Sequence, residues 1–134
     1  MPISLADLPK GHEFAPKTFE LTPDWVAEYR AAVQDELTPS SIVPPLALVA
    51  LTFRSLLEQA ALPHGAIHVS QELSSFKAAR LGNAVLAKAR IGSRGERAGW
   101  VLMGVELEVA DEAGDTVMSS RATITFPAVA EVVE

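Results

Sequence analysis

An apolar stretch in the middle of the sequence constrains the fold more than any other feature. Residues 46–53 read LALVALTF, follow Pro44-Pro45, and carry no charge. Proline is common at the first position of a helix, and Pro63-His64-Gly65 ends the segment, so we predict a helix over residues 44–60. A helix without a polar face has to be surrounded by protein, so the rest of the chain must wrap around it.

Four later segments have the two-residue alternation that is typical of β-strands with one face in water. These predicted strands cover residues 66–76, 84–91, 99–110 and 116–126. Turn-forming residues at 82–83, 92–95 and 111–115 separate them, so each strand can pair with the next as a hairpin. On this interpretation, Arg94 and Arg97 lie at a solvated turn.

The residues before the central helix predict one more strand and one more helix. Residues 14–21 can form a short strand, and Thr22-Pro23-Asp24 combines a capping side chain, an N-terminal proline and a favourable negative charge. The helix then places Trp25, Tyr29 and Val33 on one face. The simpler interpretation of this stripe is part of the core, and the alternative is the floor of a ligand channel. With a loose lead (1–12) and tail (128–134), residues 1–134 predict a single α+β domain.

Composition excludes several classes of function. The 134 residues include no cysteine, which rules out disulfides and thiolate chemistry and suits a cytoplasmic protein. The net charge of −6 repels phosphate backbones, so no nucleic-acid partner is expected. The three histidines lack metal-ligand spacing, so neither a metal nor another cofactor is expected. The longest apolar stretch, residues 42–53, is too short to span a membrane.

The order of these elements resembles the hot-dog fold, in which an antiparallel sheet wraps a long central helix. Local phrases resemble the MaoC-like hydratase/dehydratase family, including the N-terminal halves of double hot-dog dehydratases. The matching phrases are FELT at 19–22, VAEY at 26–29, VPP at 43–45, IHVSQE at 67–72, ARLGN at 79–83 and VADEAGDTV at 109–117. The last two are similar to the family's P-x-x-x-G-D and N-x-x-G-x-x-V hairpins, and the likeness covers residues 11–127.

The resemblance implies acyl-thioester chemistry, in which water is added to or removed from a 2-enoyl group on coenzyme A or acyl carrier protein. The family's catalytic Asp and His lie in a D-x-N-P-x-H loop after the first helix. Asp35 matches the Asp, but Ser40 or Ser41 stands in place of the His. A serine hydroxyl cannot exchange a proton near neutral pH as imidazole does. The implied substrate site contains Ser40, Ser41 and Pro45, where backbone N–H groups of the central helix would polarise the carbonyl.

His68 is the second catalytic candidate, although a partly exposed strand histidine is the simpler interpretation. Alternation with Ile67 and Val69 turns it away from the apolar row, towards an acyl channel or a dimer interface. We expect a subunit of an (R)-specific enoyl-CoA hydratase/dehydratase of fatty acid metabolism, paired with itself or another hot-dog chain. The alternatives are a self-sufficient hydratase or acyl-CoA thioesterase using Asp35, His68 or Glu58, and an assembly module without chemistry. Glu58 is more simply an exposed helix-end residue.

Overall fold

The computed structural model describes residues 3–128, which form a long helix packed on a five-stranded antiparallel sheet. A 3-10 helix at Leu5–Asp7 follows the first strand. The other elements, in chain order, are β1 (Ile3–Ser4), β2 (Lys17–Glu20), α1 (Pro23–Val33), β3 (Ile42–Val43), α2 (Pro45–Gln59), β4 (Ala60–Ala61), β5 (Ile67–Ser75), β6 (Ala79–Arg80), β7 (Ala84–Arg97), β8 (Trp100–Ala110) and β9 (Thr116–Pro127).

The strand order of the main sheet is β2-β7-β8-β9-β5. The hairpins β7–β8 and β8–β9 form as predicted. The prediction that β5 pairs with the strand after it is wrong, because β5 pairs with β9 at the far edge. Between β5 and β7 the chain forms β6, which pairs with β3 just before α2. This pairing carries the chain across the domain, so that β7 starts beside β2 instead of turning back along β5.

The buried side of α2 is the centre of the core, as predicted. Leu48, Leu51 and Leu56 are 2%, 3% and 0% exposed. The expectation that α2 is surrounded on every side is wrong for the single chain, since Leu46 and Leu57 are 59% and 45% exposed. A single sheet covers only one face of α2, whose residues recur at spacings of three and four. The apolar side chains on the opposite face therefore remain in solvent.

The lead that we expected to be loose is folded from Ile3 onward. β1 pairs in parallel with β4, and the buried side chains of Leu5 and Leu8 join the core. Burying two leucines stabilises the segment by several kcal/mol, about 1.5–3 kcal/mol for each side chain, which offsets the entropy lost on ordering it. Of the predicted loose tail, Ala128 packs against the core and residues 129–134 lie outside the described residues.

The first helix starts where the sequence predicts, but its apolar stripe is only partly buried. The Thr22 hydroxyl accepts a hydrogen bond from the Trp25 N–H at 3.3 Å, and Val26 is the buried residue of α1. Trp25 and Tyr29 are partly buried against the core, whereas Val33 is exposed. Burial of the stripe therefore ends before Val33, and the stripe does not form the continuous floor that a ligand channel would need.

The turn predicted at residues 92–95 is instead part of β7. A β-bulge between Ile91 and Ser93 absorbs Gly92, and the chain turns at Ala98-Gly99, where both residues have positive φ. Arg94, which we expected at a solvated turn, donates to the Leu8 carbonyl at 3.1 Å. A glycine inside a strand can mark a bulge as well as a turn, and the sequence pattern does not separate the two.

Candidate functional site

His68 faces α2, because a second β-bulge shifts the alternation of β5. His68 lies opposite Ile124 and Gln71 lies opposite Ala122, so Val69 has no partner residue on β9. Both partner residues point into the core. The extra residue turns His68 to the helix-facing side, so the prediction that it faces away from the core row is wrong.

His68 and Gln71 form a polar pair at the free edge of the sheet. The His68 ring lies 5.4 Å from the Phe53 ring of α2, and its Nε2 lies 3.0 Å from Gln71 Oε1. Gln71 Nε2 is buried, and within residues 3–128 it has no hydrogen-bond partner. Turning the amide over would only exchange which of its two polar atoms lacks a partner. The pair therefore leaves one buried hydrogen-bonding atom unpaired within the described residues.

Asp35 is held by its own loop. Its Oδ1 accepts from the N–H groups of Leu37 at 3.0 Å and Thr38 at 3.1 Å, and its Oδ2 accepts from the Thr38 hydroxyl at 2.6 Å. The Thr38 hydroxyl is the main cause that keeps the pKa of the Asp35 carboxyl below its ordinary value. Arg30 donates to the carbonyls of Thr38 and Pro39 and fixes the same loop. A carboxylate bonded in this way is a weak base, because these hydrogen bonds favour its ionised form.

A cavity of about 300 Å³ lies beside the N-terminus of α2. It is lined by Ile42, Val43, Pro45, Leu48, Ser75, Phe76, Lys77, Ala78 and Ala79. Pro44 and Pro45 have no N–H group, so the Leu46 amide is the first donor of the helix, and it has no acceptor in residues 3–128. An apolar pocket beside a helix N-terminus suits the carbonyl end of an acyl group.

At the rim of this cavity, Lys77 is already engaged. Its ammonium lies 2.5 Å from Asp111 Oδ2 and 3.5 Å from Asp115 Oδ2. The hydrogen bond to Asp111 is the main cause that raises the pKa of Lys77, and the same bond lowers the pKa of Asp111. This cation therefore serves to attach the β8–β9 turn to the end of β5.

The predicted site residues do not converge on one point. Asp35 lines a shallow cavity of its own with four α1-end neighbours: Arg30, Ala31, Gln34 and Glu36. His68 contacts Phe53, which is eight residues along α2 from Pro45, or about 12 Å of helix rise. Ser40 and Ser41 are exposed and line neither this cavity nor the one at Pro45.

Glu58 has a structural role, since its carboxylate pairs with Lys17 of β2 and with Arg54 one turn earlier in α2. Sequence reasoning missed Phe53 and Gln71. The only signal for Gln71 is its spacing of three residues from His68, which points to one shared face only when the bulge is known.

Two kinds of feature are absent from the part of the chain that the structure describes. Within residues 3–128, no three His, Cys, Asp or Glu residues are arranged to hold a metal ion. No helix of that part is long and apolar enough to cross a membrane.

No protein-family model matches the sequence, and no curated protein matches it. Solved structures do match. The HadBC (3R-hydroxyacyl-ACP dehydratase) complex from Mycobacterium tuberculosis is 18% identical with a TM-score of 0.75, covering 91% of this chain and 100% of that one. The (R)-hydratase from A. caviae involved in PHA biosynthesis is 19% identical with a TM-score of 0.74, covering 90% and 98%.

A third match is the MaoC-like dehydratase from Rhodospirillum rubrum, which is 16% identical with a TM-score of 0.73 and covers 98% of this chain and 99% of that chain. These are hydratases and dehydratases of the kind that the sequence resembles. At such low identity the likeness shows the fold. The chain is therefore a single α+β hot-dog domain, as the sequence predicts.

Proposed function

We propose that this chain is an acyl-thioester-binding subunit of an (R)-specific enoyl hydratase or dehydratase, with the catalytic Asp and His supplied by a partner hot-dog chain. One observation carries the proposal. Both carboxylate oxygens of Asp35 are bonded within their own loop, and Ser40 and Ser41 stand exposed where an imidazole would be needed. The loop thus keeps a stable shape while lacking the proton exchange on which hydration depends.

Binding of the acyl group does not depend on that loop. The Leu46 N–H, the first donor of α2, has no acceptor within residues 3–128, and the residue before it, Pro45, lines an apolar cavity together with Leu48 and Phe76. A thioester carbonyl oxygen placed at this donor would also benefit from the positive end of the helix dipole. Coenzyme A and acyl carrier protein both present such a carbonyl.

Two exposed features support pairing with another chain. β5 is a nine-residue edge strand with Ile67 and Val69 in solvent, and the outer stripe of α2 exposes Leu46 and Leu57. Free strand edges and clustered apolar side chains are usual where a second chain adds to a sheet. The HadBC neighbour is itself a complex, which supports a hot-dog chain as that partner.

The proposal is tested by separating binding from turnover. The purified chain is mixed with short and long 2-enoyl-CoA esters, and binding is measured by calorimetry while hydration is followed by loss of enoyl absorbance. We expect binding without turnover, and turnover once a hot-dog partner with a complete Asp/His loop is added. Because general acid–base catalysis contributes about 10²–10⁴-fold, the chain alone should stay near the uncatalysed rate.

The variants Asp35→Asn and Glu36→Gln each replace one carboxylate of the same loop by an amide, so they form a matched pair. Neither change should alter turnover of the complex by more than about twofold. Strong turnover by the chain alone that disappears in Asp35→Asn or His68→Ala would instead establish a self-sufficient hydratase. Absence of acyl binding, with and without the partner, would favour the assembly module.

The thioesterase alternative has less support from the structure. It depends on Glu58 as a free carboxylate, and this group is held in surface ion pairs with Lys17 and Arg54.

A further inference from the structure

Phe76 presents an exposed aromatic ring on a backbone that is held in place. The residue directly follows β5, and its exposed fraction is 62%. Its N–H donates to the Val117 carbonyl at 2.9 Å, and the N–H of Lys77 donates to the same carbonyl at 3.4 Å. The Lys77 ammonium is also bonded to Asp111 of the β8–β9 turn. Because these bonds fix the backbone, the Phe76 ring can move only about its own side-chain torsions.

The Phe76 ring lies at the mouth of the cavity beside the N-terminus of α2, since it lines that cavity and is largely exposed. An aromatic side chain that stays in water loses most of the stabilisation that burial gives. An apolar group that enters the cavity would cover part of the ring and recover some of that stabilisation. The ring is therefore placed to contribute to the affinity for whatever fills the cavity.

Buried side chains close the inner end of the cavity. Val43, Leu48 and Ala79 line it and are themselves buried, and Val43 pairs with Ala79 in the β3–β6 ladder. A wall made of close-packed core residues does not move back to admit more atoms. At roughly 30 Å³ for each non-hydrogen atom, the share of a water molecule in the liquid, about 300 Å³ holds about ten such atoms.

The lining also restricts the chemistry of the ligand. Among the residues that line the cavity, Lys77 is the one with a charge, and its ammonium is already bonded to Asp111 and Asp115. A second carboxylate or an amine on the acyl chain would enter an apolar space without a partner of opposite charge, which is unfavourable. The cavity therefore suits uncharged aliphatic groups.

We propose that Phe76 is a specificity-determining residue, whose ring covers an uncharged acyl chain of up to about eight carbons in this cavity. Eight carbons, the carbonyl oxygen and the sulfur make up the ten atoms that the cavity holds. The inference rests on the proposed function, because it takes the thioester carbonyl to lie at the N-terminus of α2. Each methylene group that enters should raise the affinity about fourfold, and carbons beyond the eighth stay in water and add little.

The test measures binding of saturated acyl-CoA esters, from butyryl-CoA to palmitoyl-CoA, to the chain by calorimetry. Saturated esters have no double bond to hydrate, so binding is measured alone. Wild-type affinity should rise about 200-fold from butyryl-CoA to octanoyl-CoA and then stay constant within about threefold. Phe76→Ala should reduce that rise to less than about twentyfold, and Phe76→Leu should recover most of it. Ala78→Leu adds volume at an exposed lining position and should end the rise at a shorter chain.

The matched control is Leu37→Ala, which removes an exposed apolar side chain that does not line the cavity, and it should keep the wild-type profile. Circular dichroism checks folding, and Ala78→Leu decides the question if Phe76→Ala does not fold. A rise that continues unchanged beyond eight carbons, or a Phe76→Ala profile equal to that of the control, overturns the inference and leaves the proposed function intact. If no ester binds, with or without a hot-dog partner chain, both are overturned.

Discussion

The rings of His68 and Phe53 lie with their centroids 5.4 Å apart on the side of β5 that faces α2. Gln71 lies beside them with its Nε2 buried and unpaired within the described residues. A buried donor without an acceptor typically costs about 1–3 kcal/mol. This corner of the domain is therefore less stable than it would be with apolar side chains, which is common where a surface is kept ready for a ligand or a partner.

Replacing Gln71 tests whether that corner is kept for binding. Gln71→Leu should leave the free energy of unfolding of the isolated chain unchanged or higher by up to about 1 kcal/mol, since no buried donor remains unpaired. Affinity for the partner chain should fall, because Gln71 lies on the free edge strand β5. The control is Gln59→Leu, whose amide donates to the Ala15 carbonyl at 3.0 Å and accepts from the Ala15 N–H at 2.8 Å. Urea unfolding should show that this control loses about 1–2 kcal/mol.

The core prediction compares two leucines on α2. Leu51→Ala removes a side chain that is 3% exposed and should lower the free energy of unfolding by about 2–5 kcal/mol. Leu57→Ala removes one that is 45% exposed and should change it by less than about 1 kcal/mol. Equal losses in urea unfolding would mean that α2 is not packed as described.

The Asp35 loop should give a pH-dependent contribution to stability. The pKa of Asp35 is lowered in the folded chain, so its carboxylate stabilises the fold above the ordinary pKa of 3.8, and the effect is lost as the pH falls through the lowered value. Urea unfolding should therefore show wild type more stable than Asp35→Asn at pH 7, with the difference shrinking as the pH falls below 3.8. Thr38→Val removes the hydroxyl donor and should reduce this dependence. A difference that is the same at pH 7 and pH 3 would contradict the assignment.

The free edge of β5 predicts how the chain pairs along that edge. Leu73 is on the helix-facing side of β5, and a charge there would be buried when a second strand adds to the edge. Leu73→Lys should halve the mass seen by light scattering, whereas Ser74→Lys, which points to the outer face, should leave it unchanged. Dissociation in both variants, or in neither, would place the pairing surface elsewhere.

Local pattern was sufficient to predict most of the elements. The predicted boundaries of α2 and β9 differ from the observed ones by about one residue, because helix and strand periodicity extend over their whole length. Strand order was harder to predict. The pairing of β5 with β9 joins residues far apart in sequence, and it depends on the short β3–β6 pair, which has no periodic signal of its own.

The two bulges explain why the candidate site could be predicted only in part. Gly92 was interpreted as a turn, and the bulge at Val69 contains no glycine or proline that would indicate it. If the bulge is not known, the two-residue alternation of β5 predicts that His68 and Gln71 point to opposite faces. The hydrogen bond between them is then missed. The Asp35 position followed from the resemblance, but its bonds to Thr38 depend on how the loop closes.

Val69 has a further consequence for comparing this chain with others position by position. Since Val69 is the residue without a partner on β9, a chain that lacked it would keep every other side chain of β5 on its present side. Such a chain would present the same histidine and glutamine to α2 with one residue between them instead of two. An alignment without gaps would then leave one of the two unmatched, and the shared pair would be overlooked although both chains place it in the same position in space.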